Sequence, residues 1–219
     1  MRLLLKTTKN KEMIPFNYQS KLVSCIHKWL GKDNEVHGET SLLSFSWLNG
    51  TEANRIGINI RYQGNWFISA YKEEVIKKMI EGIQKDPYMF CGIEVAEITI
   101  QQDPQFGTEH KFSVANPVFI KRKYSERTKF FYSGDEEADE LLTESLRYKL
   151  SLAQLPEEGV EVKFDDSYSN PTTKGYVYNG IYNKGSVCPV IIKGTPEQIA
   201  FAWNVGVGSN TGIGFGALN

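Results

Sequence analysis

Apolar positions along the chain repeat at two periods, and the switches between them divide it into short elements. Compact apolar runs rich in β-formers predict strands at residues 2–8 (RLLLKTT), 42–48, 54–61 and 65–70, with Gln63-Gly64 as the hairpin turn between the last two. Between the first two runs, Leu22, Ile26, Trp29 and Leu30 recur at helical spacing. They predict a helix over 18–31, capped by Asn17 and stopped by Gly31. A second helix over 72–85 places Val75, Ile76, Met79, Ile80 and Ile83 on one face and Lys72, Glu73, Lys77, Lys78 and Glu81 on the other. A strand over 93–101 closes this half, and Asp103-Pro104-Gln105-Phe106-Gly107 has the composition of a linker.

The pattern then recurs. Strands are predicted at 112–121 and 128–133, and Ser133 and Glu136 have capping-box spacing ahead of a helix carrying Leu141, Leu142, Leu146 and Leu150. The acidic run Asp135-Glu136-Glu137 fits a helix start, where carboxylates complement the dipole, better than a metal site. Further strands follow at 160–165, 175–182 and 187–193. Thr195-Pro196-Glu197-Gln198 signals a last helix, with Pro at the first helical position, ending near Asn204. Each half thus reads, with some extra strands, as strand, helix, hairpin, helix, strand. That order predicts an α+β protein of two ferredoxin-like (RRM-like) domains in tandem with antiparallel sheets, divided as 1–112 and 113–219. Element order alone carries the duplication, since no internal sequence repeat is visible.

Composition narrows the function classes. The 219 residues carry 25 Lys+Arg against 26 Asp+Glu, a net charge of -1, and 41% are apolar. A core is affordable, and a globally basic polyanion binder is excluded. Cys25, Cys91 and Cys188 form no CxxC pair, so neither a disulfide framework nor a zinc site is expected. The opening Met1–Lys6 lacks the apolar core of a signal peptide, and no run approaches the roughly 18 apolar residues of a membrane span; a cytoplasmic protein without a membrane partner is the expectation. Charge is locally uneven, however. Lys121, Arg122, Lys123, Arg127 and Lys129, with Glu126 counted, give +4 over 121–129 beside Tyr124, Phe130, Phe131 and Tyr132. That combination suits RNA, with cations for phosphates and rings for bases; the plain alternative is a solvated strand edge.

The tail is the most unusual stretch. Gly206, Gly208, Gly212, Gly214 and Gly216 fall within eleven residues. Backbone amides in such a loop can approach a phosphate, and the same glycines can equally serve tight packing. A dinucleotide fingerprint fails: Thr211 stands where the third glycine belongs, the loop follows a helix, and only three residues remain after Gly216. No Gly-Lys-Ser/Thr is present either.

A short helix followed by GxG, a spacer, GFG and a final strand resembles the signature loop of the CRISPR-associated endoribonucleases that cut repeat RNA, members of the RAMP superfamily. The start agrees: Ile14-Pro15-Phe16-Asn17-Tyr18-Gln19 before an amphipathic helix, then a histidine and Phe45-Ser46-Trp47-Leu48, resembles that family's opening. The resemblance covers essentially the whole length. It implies a metal-independent, cofactor-free endoribonuclease that cleaves precursor RNA within CRISPR repeats by 2'-hydroxyl attack, leaving 2',3'-cyclic phosphate and 5'-hydroxyl ends. Repeat RNA is the implied partner, and a CRISPR effector complex and a homodimer are compatible with it.

Such chemistry needs a base and an acid, and histidine suits both. The chain has only three. His37, in the polar loop Asn34–Gly38, matches the position of the family's catalytic histidine; without the resemblance it is an ordinary loop histidine. His27 lies about 110° from the apolar centre of the first helix, at the edge of its buried stripe. It matches a position where relatives carry a tyrosine or second histidine, so the resemblance implies a His27–His37 acid–base pair. His110 matches no motif. Many relatives carry a lysine shortly after the loop histidine, whereas Gly38–Ser44 here contains none, which leaves the transition-state stabiliser open among Ser41, Ser44 and a more distant lysine. For RNA binding the candidates are Lys121, Arg122, Lys123 and Arg127 with the five tail glycines. The rival functions are a non-catalytic RNA-binding scaffold of the same superfamily and a ferredoxin-like protein for a small anion.

Overall fold

A computed structural model describes residues 1–31, 41–125 and 127–219. In the first half, β1 (Arg2–Thr7) lies between β4 (Ile58–Ala70) and β5 (Val95–Gln101), and β2 (Leu43–Phe45) and β3 (Asn49–Ala53) both pair with β4. The resulting order β2-β4-β1-β5 is antiparallel throughout. Helices α1 (Gln19–Leu30) and α2 (Glu73–Lys85) pack together, and Leu3, Leu5, Trp66 and Ile68 form one core with Leu22, Ile26, Trp29, Met79 and Ile83. Every second strand residue and every third or fourth helix residue supplies this core, as the two periods require.

Local signals misplace one hairpin. Gln63-Gly64 is not a turn: β4 runs unbroken through it, because Arg2–Thr7 of β1 pairs with Ser69–Gly64 and needs a long partner. Gly64 is there for space, since a side chain would overlap Thr7 Oγ1. The turn lies earlier, at Asn54–Gly57, where the Asn54 carboxamide accepts from the Ile56 and Gly57 amides. Asn17 likewise does not cap α1; the N-cap residue is Tyr18, without a side-chain cap bond.

In the second half, β6 (Glu109–Phe112), β9 (Glu161–Phe164) and β12 (Val190–Lys193) form a sheet of order β6-β12-β9. Helices α3 (Ala138–Leu152) and α4 (Pro196–Val205) share its core. The chain end adds the fourth position: Val114 bridges Leu218, and the Ala115 amide donates to Ala217 O at 2.8 Å. The ferredoxin-like order therefore recurs, with two insertions. One is the hairpin β7 (Ile120–Tyr124) with β8 (Arg127–Phe131); the other is β10 (Thr172–Tyr178) with β11 (Ile181–Val187). The predicted strand over 112–121 is thus two pieces, β6 and β7, and β6 begins at Glu109 and pairs with β12. The predicted strand over 175–182 is broken by Asn179-Gly180, both at positive φ (49° and 78°), as a tight hairpin requires. Ser133 forms no capping box, because α3 starts later, at Ala138, and the Asp135 carboxylate instead accepts from the Tyr132 amide. The Thr195–Gln198 capping box on α4 is present, with Pro196 at the first turn.

The halves are fastened through buried polar groups. Arg2 on β1 donates to Ser69 Oγ, Trp203 O and Leu218 O, and its guanidinium lies between the Phe67 and Trp203 rings, 3.8 and 3.7 Å from their centroids. Burial pulls its pKa down to about 9, opposed by Asp103. The β2 strand is covered by the second half: Ser44 Oγ donates to Asn204 O, and Asn116 donates to Phe45 O while accepting from the Ala217 amide. Among the described residues, no helix is long and apolar enough to cross a membrane.

Candidate nucleic-acid interface

The glycine-rich tail leaves α4 at Gly206 and folds back on itself at the junction of the halves. Val207 N donates to Gly216 O at 2.9 Å, Gly216 N to Pro117 O at 2.8 Å, and Ser209 N to Phe119 O at 2.7 Å. Gly206, Gly208, Gly214 and Gly216 are buried, all at positive φ. A methyl at Gly206 would sit 2.6 Å from Gly216 O, and one at Gly208 2.6 Å from Phe119 O. Close backbone approach is what Gly206, Gly208 and Gly216 permit, and Gly214 instead lies against the Phe45 ring. Gly212 differs: it is half-buried in the 3-10 turn Thr211–Ile213, against Ser41, the residue that follows segment 32–40.

An aromatic cluster supports the turn from below. Phe215 stacks on Tyr176 at 5.1 Å and tilts against Phe119 at 5.1 Å, and Trp47 meets Tyr176 edge-on. Trp47 Nε1 donates to Gly214 O at 2.9 Å, and the Tyr176 hydroxyl donates to Ile213 O. The turn is therefore held by β10 and by the β2–β3 connection, one from each half. Helix α1 also touches both the turn and β10.

Lys149, on α3, reaches into this junction and donates to Gly206 O at 3.1 Å from a fully buried position. Burial pushes its pKa down from 10.5 to about 7. Between those values the unfolded chain binds a proton that the folded chain does not. Stability therefore rises with pH across about 7 to 10.5, and the cost of the buried ammonium is fully present below that window. Lys149→Met is expected to flatten this slope, with its stability gain over the native chain largest at pH 7 and below. Urea unfolding at pH 6, 8 and 10 checks it; an unchanged slope would show that the ammonium is solvated.

The basic cluster lies on the β7–β8 hairpin. Lys121, Arg122, Lys123 and Arg127 are exposed, and Lys121 and Arg122 line a groove of about 260 Å³ with Ser145, Tyr148, Gly208 and Ser209. The fold thus brings the basic run and one end of the glycine tail to a single groove. Two of the cations are already paired, Arg122 with Glu144 and Lys129 with Glu137.

Two of the three histidines lie among the described residues. His27 is half-buried on α1. His37 falls in 32–40, outside the described residues, between Gly31 at the end of α1 and Ser41 beside Gly212. His110 is exposed on β6, its ring 5.0 Å from Phe106 and 4.4 Å from Phe112.

A family model described as "CRISPR associated protein Cas6, C-terminal" matches residues 101–219, more than half of the chain. The chain belongs to the Cas6 family. A Pyrococcus horikoshii protein named as CRISPR-associated endoribonuclease-like protein Cas6nc is 25% identical over 96% of this chain and 94% of its own length. A Cas6-like protein of Pyrococcus furiosus, again named endoribonuclease-like, is 26% identical over 69% of the chain and 66% of its own. Among solved structures, the product of a Cas6-related gene from Pyrococcus furiosus superposes with a TM-score of 0.86 at 23% identity, covering 100% of this chain and 97% of the other. A RAMP protein described as binding different RNA substrates gives 0.86 at 21%, covering 100% and 98%. These likenesses bear out the tandem ferredoxin-like fold expected from element order.

Within this Cas6 chain the most informative residue that sequence reasoning passed over is Lys149. It stands seven residues after Leu142 and three after Leu146, squarely on the apolar stripe of α3. A lysine in that register was a readable sign of a buried cation. Trp47 and Tyr176 carried no comparable signal, because only the folded chain places them under the glycine turn.

Proposed function

We propose that this Cas6-family chain binds CRISPR repeat RNA and cleaves it by metal-independent transesterification. The observation that carries the reading is the match over residues 101–219 together with a turn, Thr211–Ile213, that touches α1 and Ser41 on the first half. His27 and the segment bearing His37 are thereby joined to elements that border the same junction. In the proposed mechanism one histidine takes the proton of the 2'-hydroxyl. The oxygen attacks the adjacent phosphorus in line, and the 5' oxygen leaves with a proton from the other histidine. The O2'–P bond forms as the P–O5' bond breaks, which yields a 2',3'-cyclic phosphate and a 5'-hydroxyl. The division into an N-terminal unit over about 1–112 and a C-terminal unit over about 113–219 belongs to the same proposal.

Cognate repeat RNA incubated with the protein in EDTA is expected to give these two end groups, resolved by phosphatase and kinase treatment of the fragments. A strict magnesium requirement would overturn the chemistry. A second reading, RNA binding without cleavage, is favoured by one observation: no lysine occurs in Gly38–Ser44 to stabilise the developing charge. Intact RNA in that assay, with binding retained, selects it. For capture, we place Lys121, Arg122, Lys123 and Arg127 on the phosphates. Replacing Lys121, Arg122 and Lys123 together by alanine is expected to weaken binding and lower the slope of log affinity against log salt by about 2, at roughly 0.7 per cation for single-stranded RNA. Unchanged affinity in a filter-binding titration would leave the run a solvated edge.

A further inference from the structure

The strongest unassigned surface is on the first half, at the edge of β4. The ladder between β3 and β4 jumps there: Asn49 faces Asn65 and Thr51 faces Ile60, so Gly50 alone opposes the four residues Arg61 to Gly64. A bulge of this kind re-aims side chains away from the sheet. It leaves Arg61, Tyr62 and Gln63 exposed in succession, with Tyr62 at 73% of full exposure. Lys9 Nζ lies 5.7 Å from the Tyr62 ring centroid and Arg61 Cζ 5.3 Å from it. The Lys9 segment is held in place by Asn10, which accepts from the Ile60 amide and donates to Asn59 Oδ1.

The charges of this patch are unspent. No carboxylate among the described residues forms an ion pair with Lys9, Arg61 or Arg55, the last at the tip of the same hairpin. In the β7–β8 cluster, by contrast, Arg122 and Lys129 are both neutralised by glutamates. An exposed tyrosine between two unpaired cations has no role in the core, since burial of its ring would have stabilised the fold and has not occurred. It matches what single-stranded nucleic acid requires: a ring face for an unstacked base and adjacent cations for its phosphates. Duplex RNA fits less well, because its bases are already stacked on one another.

We propose that Tyr62, Lys9 and Arg61 form a second RNA contact, which stacks a base of a single-stranded segment of the same RNA held at the glycine-tail junction. The inference rests on the RNA-binding reading above. An unstructured RNA of about 30 nucleotides carrying 4-thiouridine serves as probe, titrated into the full chain by fluorescence anisotropy. Tyr62→Ala is expected to weaken affinity on the order of tenfold, as loss of one base–aromatic stack does, while Tyr62→Phe stays near the native value. Lys9→Ala with Arg61→Ala lowers the salt slope by about 1.4. Photocrosslinks map to the peptide that contains Tyr62.

If the native chain binds this RNA and the Lys121/Arg122/Lys123 variant is weakened, yet Tyr62→Ala binds within twofold of native and no crosslink falls at Tyr62, this contact is overturned and the RNA reading stands. If the native chain binds no RNA, both fall. Dissociation of a dimer by Tyr62→Ala in light scattering, with RNA affinity unchanged, would also overturn the proposal and assign the patch to contact between copies.

Discussion

Alanine at His37 is expected to slow single-turnover cleavage of cognate repeat RNA by about 10²- to 10⁴-fold, with RNA affinity close to native. A positioned acid or base acts on the proton in flight in the transition state, so its removal is felt in the rate and little in ground-state binding. His27→Ala should have an effect of the same order. If the two act as one acid–base unit, the double variant is scarcely slower than the worse single variant. A rate that is bell-shaped in pH should lose one limb in each single variant, since base and acid are needed in opposite protonation states. Quench-flow rates across pH 5 to 9 provide the check, and an unchanged rate for His37→Ala would remove that residue from the site. His37 is joined to α1 through Gly31 and to the glycine turn through Ser41, whose side chain lies against Gly212.

Gly216→Ala is expected to cost several kcal/mol of stability, far beyond an ordinary surface change. Two terms add. The residue sits at φ 63°, where a side chain costs about 1 kcal/mol. The new methyl would also overlap Val207 O, a buried backbone atom with nowhere to move. Relief requires parting the segments joined by the bonds from Val207 N to Gly216 O and from Gly216 N to Pro117 O, and each orphaned buried group costs about 1–3 kcal/mol. Gly159→Ala isolates the first term: its φ is 75° and nothing lies within 4 Å of the added carbon. Urea denaturation of both variants measures the difference. Equal losses would show that the tail relaxes around a side chain.

That contrast also marks the limit of local inference. The five tail glycines suit phosphate approach and tight packing equally well, since glycine supplies room in either case. The fold buries Gly206, Gly208 and Gly216 against backbone and Gly214 against the Phe45 ring, and leaves Gly212 at the half-exposed turn. Gln63-Gly64 has a turn's composition, yet it is mid-strand because β1 needs its partner to be long. The basic run at 121–129 was legible as charge. Its meeting with Gly208 in one groove, and the neutralisation of Arg122 by Glu144, were not, since both depend on contacts across 22 or more residues.

Local stereochemistry thus settled whatever its own neighbours decide: the apolar face of α2, the Thr195–Gln198 cap of α4, the stop at Gly31, and the strand–helix order that makes two ferredoxin-like units. Those features depend on residues within one or two turns of each other. Only the tertiary structure decided which glycines touch backbone, that Arg2 is buried between Phe67 and Trp203, and that Lys149 reaches the carbonyl of Gly206. Such outcomes hinge on which distant surfaces exclude water together. A sequence specifies that closure through the sum of its long-range contacts and not through any segment that can be read alone.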